Sequence, residues 1–304
     1  MRTFVAVVLM VAAALLACCA VAGSSVNQLA HAAGPAREIA GSLPQDEAVR
    51  AALPPVVTKA LADGIPAGLG IPDAVRGPLE QATSRAVAAA LDHPGFDDAW
   101  LKGIDTSRRE YVARLGQVHS GERDTAPAVL ELGPLASLGV AGLKDAVSGM
   151  GLGFLVGMLP TEVSASVPLD VPGTDASGSA RLATMVWLSA GWAWAAVGAA
   201  ALAVVAVATA RPRGRGPVVA LGGLVVCLAA SGLLAIAAGI VPDGAPSVAD
   251  PDPDSALAAA VTAQVLQGLS DYIVRWAVPT LVGGAAAVAL GGVMRLLVGR
   301  PRNR

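Results

Sequence analysis

The chain is short of the residues that cover most water-soluble domains. Charged residues fill 14% of its 304 positions and aromatics 3%, whereas an ordinary soluble domain carries about 25% charge. That deficit excludes a conventional hydrated exterior over most of the chain. With few aromatics, the apolar surface must come from Ala, Val, Leu and Gly. Lysine occurs only at Lys59, Lys102 and Lys144, and every other fixed cation is arginine. Scarce lysine in an Ala-, Gly-, Pro- and Arg-rich chain points to a GC-rich, bacterial genome.

Other absences narrow the chemistry. The three cysteines, Cys18, Cys19 and Cys227, fall in apolar runs, so the middle of the chain has no disulfide framework. His31, His93 and His119 are far apart and lack Cys or carboxylate partners at ligand spacing, so no metal site is predicted. No HExxH, GxSxG, phosphate-binding loop or strand-preceded GxGxxG appears, and no cofactor is expected. Gly149-Met150-Gly151-Leu152-Gly153 is glycine-rich but has no Lys or hydroxyl after it to hold a phosphate. A net charge of −2 gives no basic surface for nucleic acid.

What the chain has is long apolar runs, with a mean hydropathy of +0.62. Trp187 to Ala208 contains no Asp, Glu, Lys or Arg, and is long enough to cross a hydrocarbon core of ~30 Å at about 1.5 Å per residue. Arg211, Arg213 and Arg215 follow it, and such arginines stay on the cytoplasmic side. Trp187, Trp192 and Trp194 crowd the other half as an aromatic belt would. Residues 184–210 are therefore expected to form the second transmembrane helix, and 211–216 a cytoplasmic arginine loop. Residues 217–241 return outward. An acidic, proline-rich stretch with Asp243, Asp250, Asp252 and Asp254 and an amphipathic helix opened by Ser255 fill residues 242–275. Residues 276–298 form the last span, kinked at Pro279, and 299–304 form a basic cytoplasmic tail.

Residues 1–25 hold the first apolar run, behind Arg2. Three readings fit it: an uncleaved signal anchor, a signal peptide cut after Ala20-Val21-Ala22, or a lipoprotein signal at Leu15-Leu16-Ala17-Cys18. The length favours the anchor, and all three leave residues 26–183 outside the cytoplasm. In that region Asp46 and Glu47 open a helical segment that Pro54-Pro55 should stop and Val56 to Ala62 should resume. Gly64 to Pro72 reads as a loop, and Pro78 to Leu91 as an amphipathic helix ended by His93-Pro94-Gly95. Phe96 to Leu115 is the best-patterned helix, with Phe96, Trp100, Ile104, Tyr111 and Leu115 on one stripe. Asp97 and Asp98 sit in its first turn and Arg108, Arg109 and Arg114 toward its end, as the helix dipole prefers. His119 to Ala126 reads as a loop and Val129 to Leu132 as a short extended segment. Leu135 to Leu159 reads as an amphipathic hairpin or interfacial helix, because a Lys144–Asp145 pair is too costly at mid-bilayer, and Thr161 to Ser179 as a linker.

This layout resembles a family of uncharacterised integral membrane proteins from high-GC Gram-positive bacteria. The resemblance is carried by Glu47-Ala48-Val49-Arg50-Ala51-Ala52-Leu53, by Phe96-x-x-x-Trp100, and by Val129-Leu130-Glu131-Leu132 with Pro134-Leu135. In that family the Phe/Trp helix continues to a His where this chain has Arg108. The resemblance implies topology and carries over no activity.

The expectation is thus an all-α, polytopic membrane protein with four transmembrane helices and an extracytoplasmic α-helical domain, both termini lying in the cytoplasm. Its partners are the lipid bilayer and an envelope component, another membrane protein or a second copy. The leading function is non-enzymatic partner binding by the outer domain. An enzyme acting on lipid or wall precursors would draw on Glu110, Asp105 and Asp98, the densest carboxylates. A transporter or channel subunit is disfavoured because the spans hold no internal ionisable residue. The Asp250 to Asp254 run lacks the Gly turn and terminal Glu of a calcium loop. The Arg211 to Arg215 loop has the charge to meet anionic lipid, although topology alone accounts for it.

Overall fold

A computed structural model describes residues 2–63, 81, 85–149, 165–169, 171, 174–211, 214–240 and 253–298. About 86% of these are helical. In chain order they are α1 (Arg2–His31), α2 (Ala33–Ala40), α3 (Glu47–Asp63), α4 (Phe96–His119), β1 (Ala128–Glu131), α5 (Gly133–Gly149), β2 (Ser166–Leu169), α6 (Ala176–Ser189), α7 (Trp192–Thr209), α8 (Arg215–Ile240) and α9 (Pro253–Val298). Two compact units result. One comprises Met1–Ala30, Leu182–Pro242 and Leu266–Arg304, and the other His31–Arg181 with Asp243–Val265.

The first unit contains four helices long and apolar enough to cross a membrane, within α1, α7, α8 and α9, which marks a multi-pass membrane protein. Their outer faces are greasy, with Phe4, Val204, Leu228, Val282 and Leu296 exposed. Inside, the unit is built from small residues. A Cβ added at Gly223 would lie 2.5 Å from the Gly284 carbonyl oxygen, and one at Gly216 would lie 2.6 Å from that of Gly291. Two further pairs continue this antiparallel register in steps of seven. Ala230 and Ala277 are buried, and the Ser270 hydroxyl donates to the Ala237 carbonyl at 3.1 Å. A seven-residue period keeps one seam of α8 against one seam of α9, and Gly, Ala and Ser there let the backbones touch.

The packing of α1 sets the directions of the other spans. Its residues Ala6 and Met10 cluster with Ala206 and Ala210 at the end of α7 and with Val218 at the start of α8. Farther along α1, a Cβ at Gly23 would sit 3.2 Å from the Trp192 Cβ. Hence α1 runs with α8 and against α7. Arg211, Arg215 and Arg295 gather at one end of the unit and Trp192 stands at the other.

The second unit has a core of larger side chains: Leu43, Val49, Leu53, Trp100, Leu130, Leu132 and Val167 are among its most buried members. Trp100 on α4 is 1% exposed, and its indole N–H donates to the Ala40 carbonyl at 2.8 Å. The predicted stripe of α4 is confirmed at Phe96, Trp100, Ile104 and Leu115, all buried. Strands β1 and β2 form an antiparallel ribbon with Leu130 opposite Val167.

Several expectations change. Helix α3 runs straight through Pro54 and Pro55. Each proline removes an N–H donor, but Val49, Leu53, Val56 and Val57 are all buried along that helix, and packing overrides the stop. The predicted linker Thr161 to Ser179 supplies β2, where Val167 is buried and Ser166 and Pro168 are exposed, the alternation of a half-buried strand. The predicted single helix over 184–210 is two, α6 and α7, parted at Ala190–Gly191. The break is closed by tight bonds from Ala190 N–H to Trp187 O and from Gly191 N–H to Leu188 O. Helix α4 extends to His119, four residues past its predicted end at Leu115. Helix α9 starts at Pro253, not at a Ser255 cap, and is one 46-residue helix through Pro279.

The region 242–275 also differs in role. Leu257, Ala258 and Val261 lie in the core of the second unit, and Lys59 pairs with Asp254. The amphipathic start of α9 is thus part of that unit's interior. His93 ends its helix as predicted, its Nδ1 accepting the Gly95 N–H at 2.9 Å. The loop predicted at 64–72, most of 78–84, the glycines after Gly149, the Asp243 to Asp252 stretch and the basic tail lie outside the described residues.

Candidate functional site

The charged back of α4 is where the carboxylates named from the sequence fall. It stands over β1, and the approach is close. A Cβ at Gly103 would lie 2.6 Å from the Glu131 carbonyl oxygen, so only glycine fits there. The Ser107 hydroxyl accepts the Glu131 N–H at 2.7 Å and donates to the Gly103 carbonyl at 2.8 Å. This link fixes β1 one side chain away from α4.

Asp98, Asp105 and Glu110 are not brought together. Asp98 is exposed in the first turn. Asp105 is clamped by its own helix: Arg108 Nη2 reaches Oδ1 at 2.7 Å and Arg109 Nε reaches Oδ2 at 3.2 Å. The hydrogen bond from Arg108, with the charges of Arg108, Arg109 and Arg37, holds the Asp105 carboxyl below its ordinary range against the opposing effect of burial. A carboxylate so engaged is a poor proton acceptor. Arg108 is therefore an ion-pair partner.

Glu110 pairs with Arg114 at 2.9 Å, and Arg114 also reaches Glu131 at 4.0 Å and donates to the Pro127 carbonyl at 3.2 Å. Glu131 is the residue that sequence reasoning missed as a site candidate. Burial first, and then the neighbouring Glu110 carboxylate, push its carboxyl above the ordinary glutamate range, while Arg114 pulls the other way. Glu110 and Glu131 are 21 residues apart in sequence, on a helix and a strand, so no local spacing announces the pair. Tyr111, next to Glu110 in sequence, is raised by burial. Among the described residues no group of three His, Cys, Asp or Glu side chains is arranged to hold a metal, and the three cysteines are free thiols.

The membrane unit offers a different kind of site. Four of its helices wall a groove of about 500 Å³, lined almost wholly by Ala, Gly, Val and Met. In a bilayer it is filled by whatever apolar matter borders it.

No protein-family model, curated protein or solved structure matches the chain.

Proposed function

We propose that this is an integral membrane protein that carries its second unit outside the cytoplasm and uses it to bind a component of the cell envelope, without catalysis. The observation behind this is the shared core. Residues on both flanks of the α7–α8 pair, among them Val49, Trp100, Leu257 and Val261, bury one another. They must therefore lie on one side of a membrane, which requires an even number of crossings between Arg181 and Asp243. Two spans, α7 and α8, satisfy that. The arginine-rich end at Arg211 and Arg215 supports a cytoplasmic turn between them, which puts the second unit outside and both termini inside. The resemblance to uncharacterised integral membrane proteins of high-GC Gram-positive bacteria supports this threading.

A binding role is favoured over transport because the spans within α1, α7 and α8 carry no Asp, Glu, Lys, Arg or His in their interiors, and in α9 Asp271 and Arg275 come before the uncharged stretch from Trp276 to Met294. Alkaline phosphatase fused after Gly121 or Ala249 should be active, and fused after Gly214 or Arg304 inactive. Photo-cross-linking from the α4 surface in intact cells should then recover one partner reproducibly. Active fusions at Gly214, or a cross-linking pattern no different from that of an unrelated anchored domain, would refute the reading.

A second reading rests on the Glu110–Glu131 pair, where a carboxyl raised by burial lies beside a second carboxyl that is paired with Arg114, the two-carboxyl arrangement that acid–base chemistry uses. It predicts that Glu131→Gln abolishes the cellular phenotype while the protein stays folded. An unchanged phenotype rejects it.

A further inference from the structure

The groove of the membrane unit has a definite length and a definite end. Its walls run from Met10 to Ala17 on α1, Ala196 to Ala203 on α7, Val219 to Val226 on α8 and Thr280 to Ala287 on α9. Each wall is two helical turns, so the groove is about 11 Å long, against a hydrocarbon core of ~30 Å. A further spanning helix would need a seam through the whole thickness. The longest small-residue seam, between α8 and α9, is already closed upon itself. A two-turn apolar hollow instead suits part of one acyl chain in one leaflet. Thr280 is the only lining residue with a polar side chain, and its hydroxyl already donates to the Trp276 carbonyl at 2.8 Å.

One end of the groove is basic. Arg215 precedes Val219 by one turn, and Arg295 follows Ala287 by about two. A Cβ at Gly216 would lie 3.4 Å from the Arg295 Cβ, which puts Arg295 level with the start of α8. Arg211 follows Ala210, which is buried against Ala6 and Val218 at the same end. No acidic side chain among the described residues pairs with any of these three arginines. An apolar slot that begins one turn from Arg215 and about two turns from Arg211 and Arg295 is complementary to one class of bilayer molecule.

We propose that the groove seats an acyl chain of an anionic phospholipid whose headgroup phosphate is held by Arg211, Arg215 and Arg295. This rests on the reading that the four helices lie in a bilayer. The occupant is a lipid of the surrounding membrane and not a second copy of the chain.

The test uses the full chain in neutral detergent, first checked to partition into the detergent phase. Protein left in the aqueous phase would overturn the membrane reading itself, and this proposal with it. The partitioned protein is mixed with equal amounts of phosphatidylglycerol and phosphatidylcholine, and the retained lipid is weighed by native mass spectrometry. In parallel, phosphatidylglycerol bearing a diazirine on its acyl chain is photo-activated, and the labelled peptides are mapped. Phosphatidylglycerol should be retained preferentially, and Arg215→Gln and Arg295→Gln should each cut that preference about fivefold. Label should concentrate on 196–203 and 219–226, and Ala200→Phe, an exposed wall position, should remove it. Three results would each overturn the proposal: equal retention of the two lipids by the unaltered protein, label spread evenly over the outer faces, or a disulfide-linked dimer of Ala200→Cys showing that a second copy covers the groove.

Discussion

Trp100 and Trp194 are the same side chain put to opposite uses. In the second unit Trp100 is 1% exposed and hydrogen-bonded at the centre of the core; in the membrane unit Trp194 is 82% exposed. The buried residues reverse as well. The second unit hides Leu, Val, Phe and Trp, while the membrane unit hides Ala6, Ala206, Ala230 and Ala237 and turns its Leu and Val outward. In water, apolar area removed from solvent drives packing at about 25 cal/mol per Å², so the largest side chains go inside. Between lipid tails that force is absent, and helices associate where small residues let backbones approach. One chain thus obeys two size rules, and the direction of damage from a substitution should reverse between the units.

The largest effect should come from enlarging the membrane seam. Overpacking a core usually costs about 1–3 kcal/mol because side chains can move aside. At Gly223 and Gly284 the neighbour is backbone, and a Cβ at Gly284 would also stand 2.9 Å from the Gly223 carbonyl oxygen. Gly223→Leu and Gly284→Leu should each separate α8 from α9 and exceed that range. Thermal melting in detergent would show it, and a leucine tolerated at either position would break the comparison. Leucine at Gly292, where nothing lies within 4 Å of an added Cβ, should be harmless.

The converse effect belongs to the second unit. Trp100→Ala should destabilise it by about 3–5 kcal/mol, the range for emptying an aromatic core site. Trp100→Phe should lose less, about 1–3 kcal/mol, mainly the donor to the Ala40 carbonyl. Limited proteolysis between Ala40 and Phe96 would report this loss. The same truncation at Trp194 should leave both units folded.

How much of this was open to reading from the chain follows the same division. The spans were legible because lipid demands a continuous apolar run, and the α4 stripe because Phe96, Trp100 and Ile104 repeat at helical spacing. The α8–α9 register was only half visible. Paired glycines at 222–223, 283–284 and 291–292 suggest contact, but the alternation of Gly216 and Gly223 with Ala230 and Ala237 is drowned among other alanines. The break at Ala190–Gly191 was hidden because hydropathy does not change across it. Strand β2 was masked by the linker-like composition around Val167, and its partner lies 37 residues upstream, where Leu130 pairs with Val167. The run through Pro54 and Pro55 could not be read locally, since the stripe that holds it includes residues as distant as Leu257. The Glu110–Glu131 pairing was invisible for the same reason.

A buried hydroxyl gives a smaller test within the membrane unit. Tyr272 is 7% exposed and its hydroxyl has no hydrogen-bond partner. Removing an unmatched polar atom while keeping the ring should be neutral or stabilising by about 1 kcal/mol. Ser270→Ala, one turn's width away, removes a bond that is made and should destabilise by about 0.6 kcal/mol, the mean for such bonds between membrane helices. Melting the two variants side by side separates an idle hydroxyl from a working one.

The smallest effects should come from the carboxylates of the second unit, and their signs oppose. Asp105 is held below its ordinary value by Arg108. Its stabilisation is therefore complete above the unfolded aspartate range and is lost as pH falls through the lowered folded value. Glu131 is raised by burial and by Glu110. Between the unfolded glutamate range and that raised value the folded state holds the extra proton, so stability falls as pH rises through the window. Asp105→Asn should lower stability at neutral pH and flatten the acid limb. Glu131→Gln should leave the acid limb alone and remove the decline that lies above the ordinary glutamate range. Both side chains are partly hydrated, which limits each change to about 1 kcal/mol. Melting temperatures recorded from about pH 3 to pH 7 would resolve the two slopes. If both variants shift the curve in the same direction, Arg114 controls Glu131 more strongly than burial does, and the folded state holds no extra proton there.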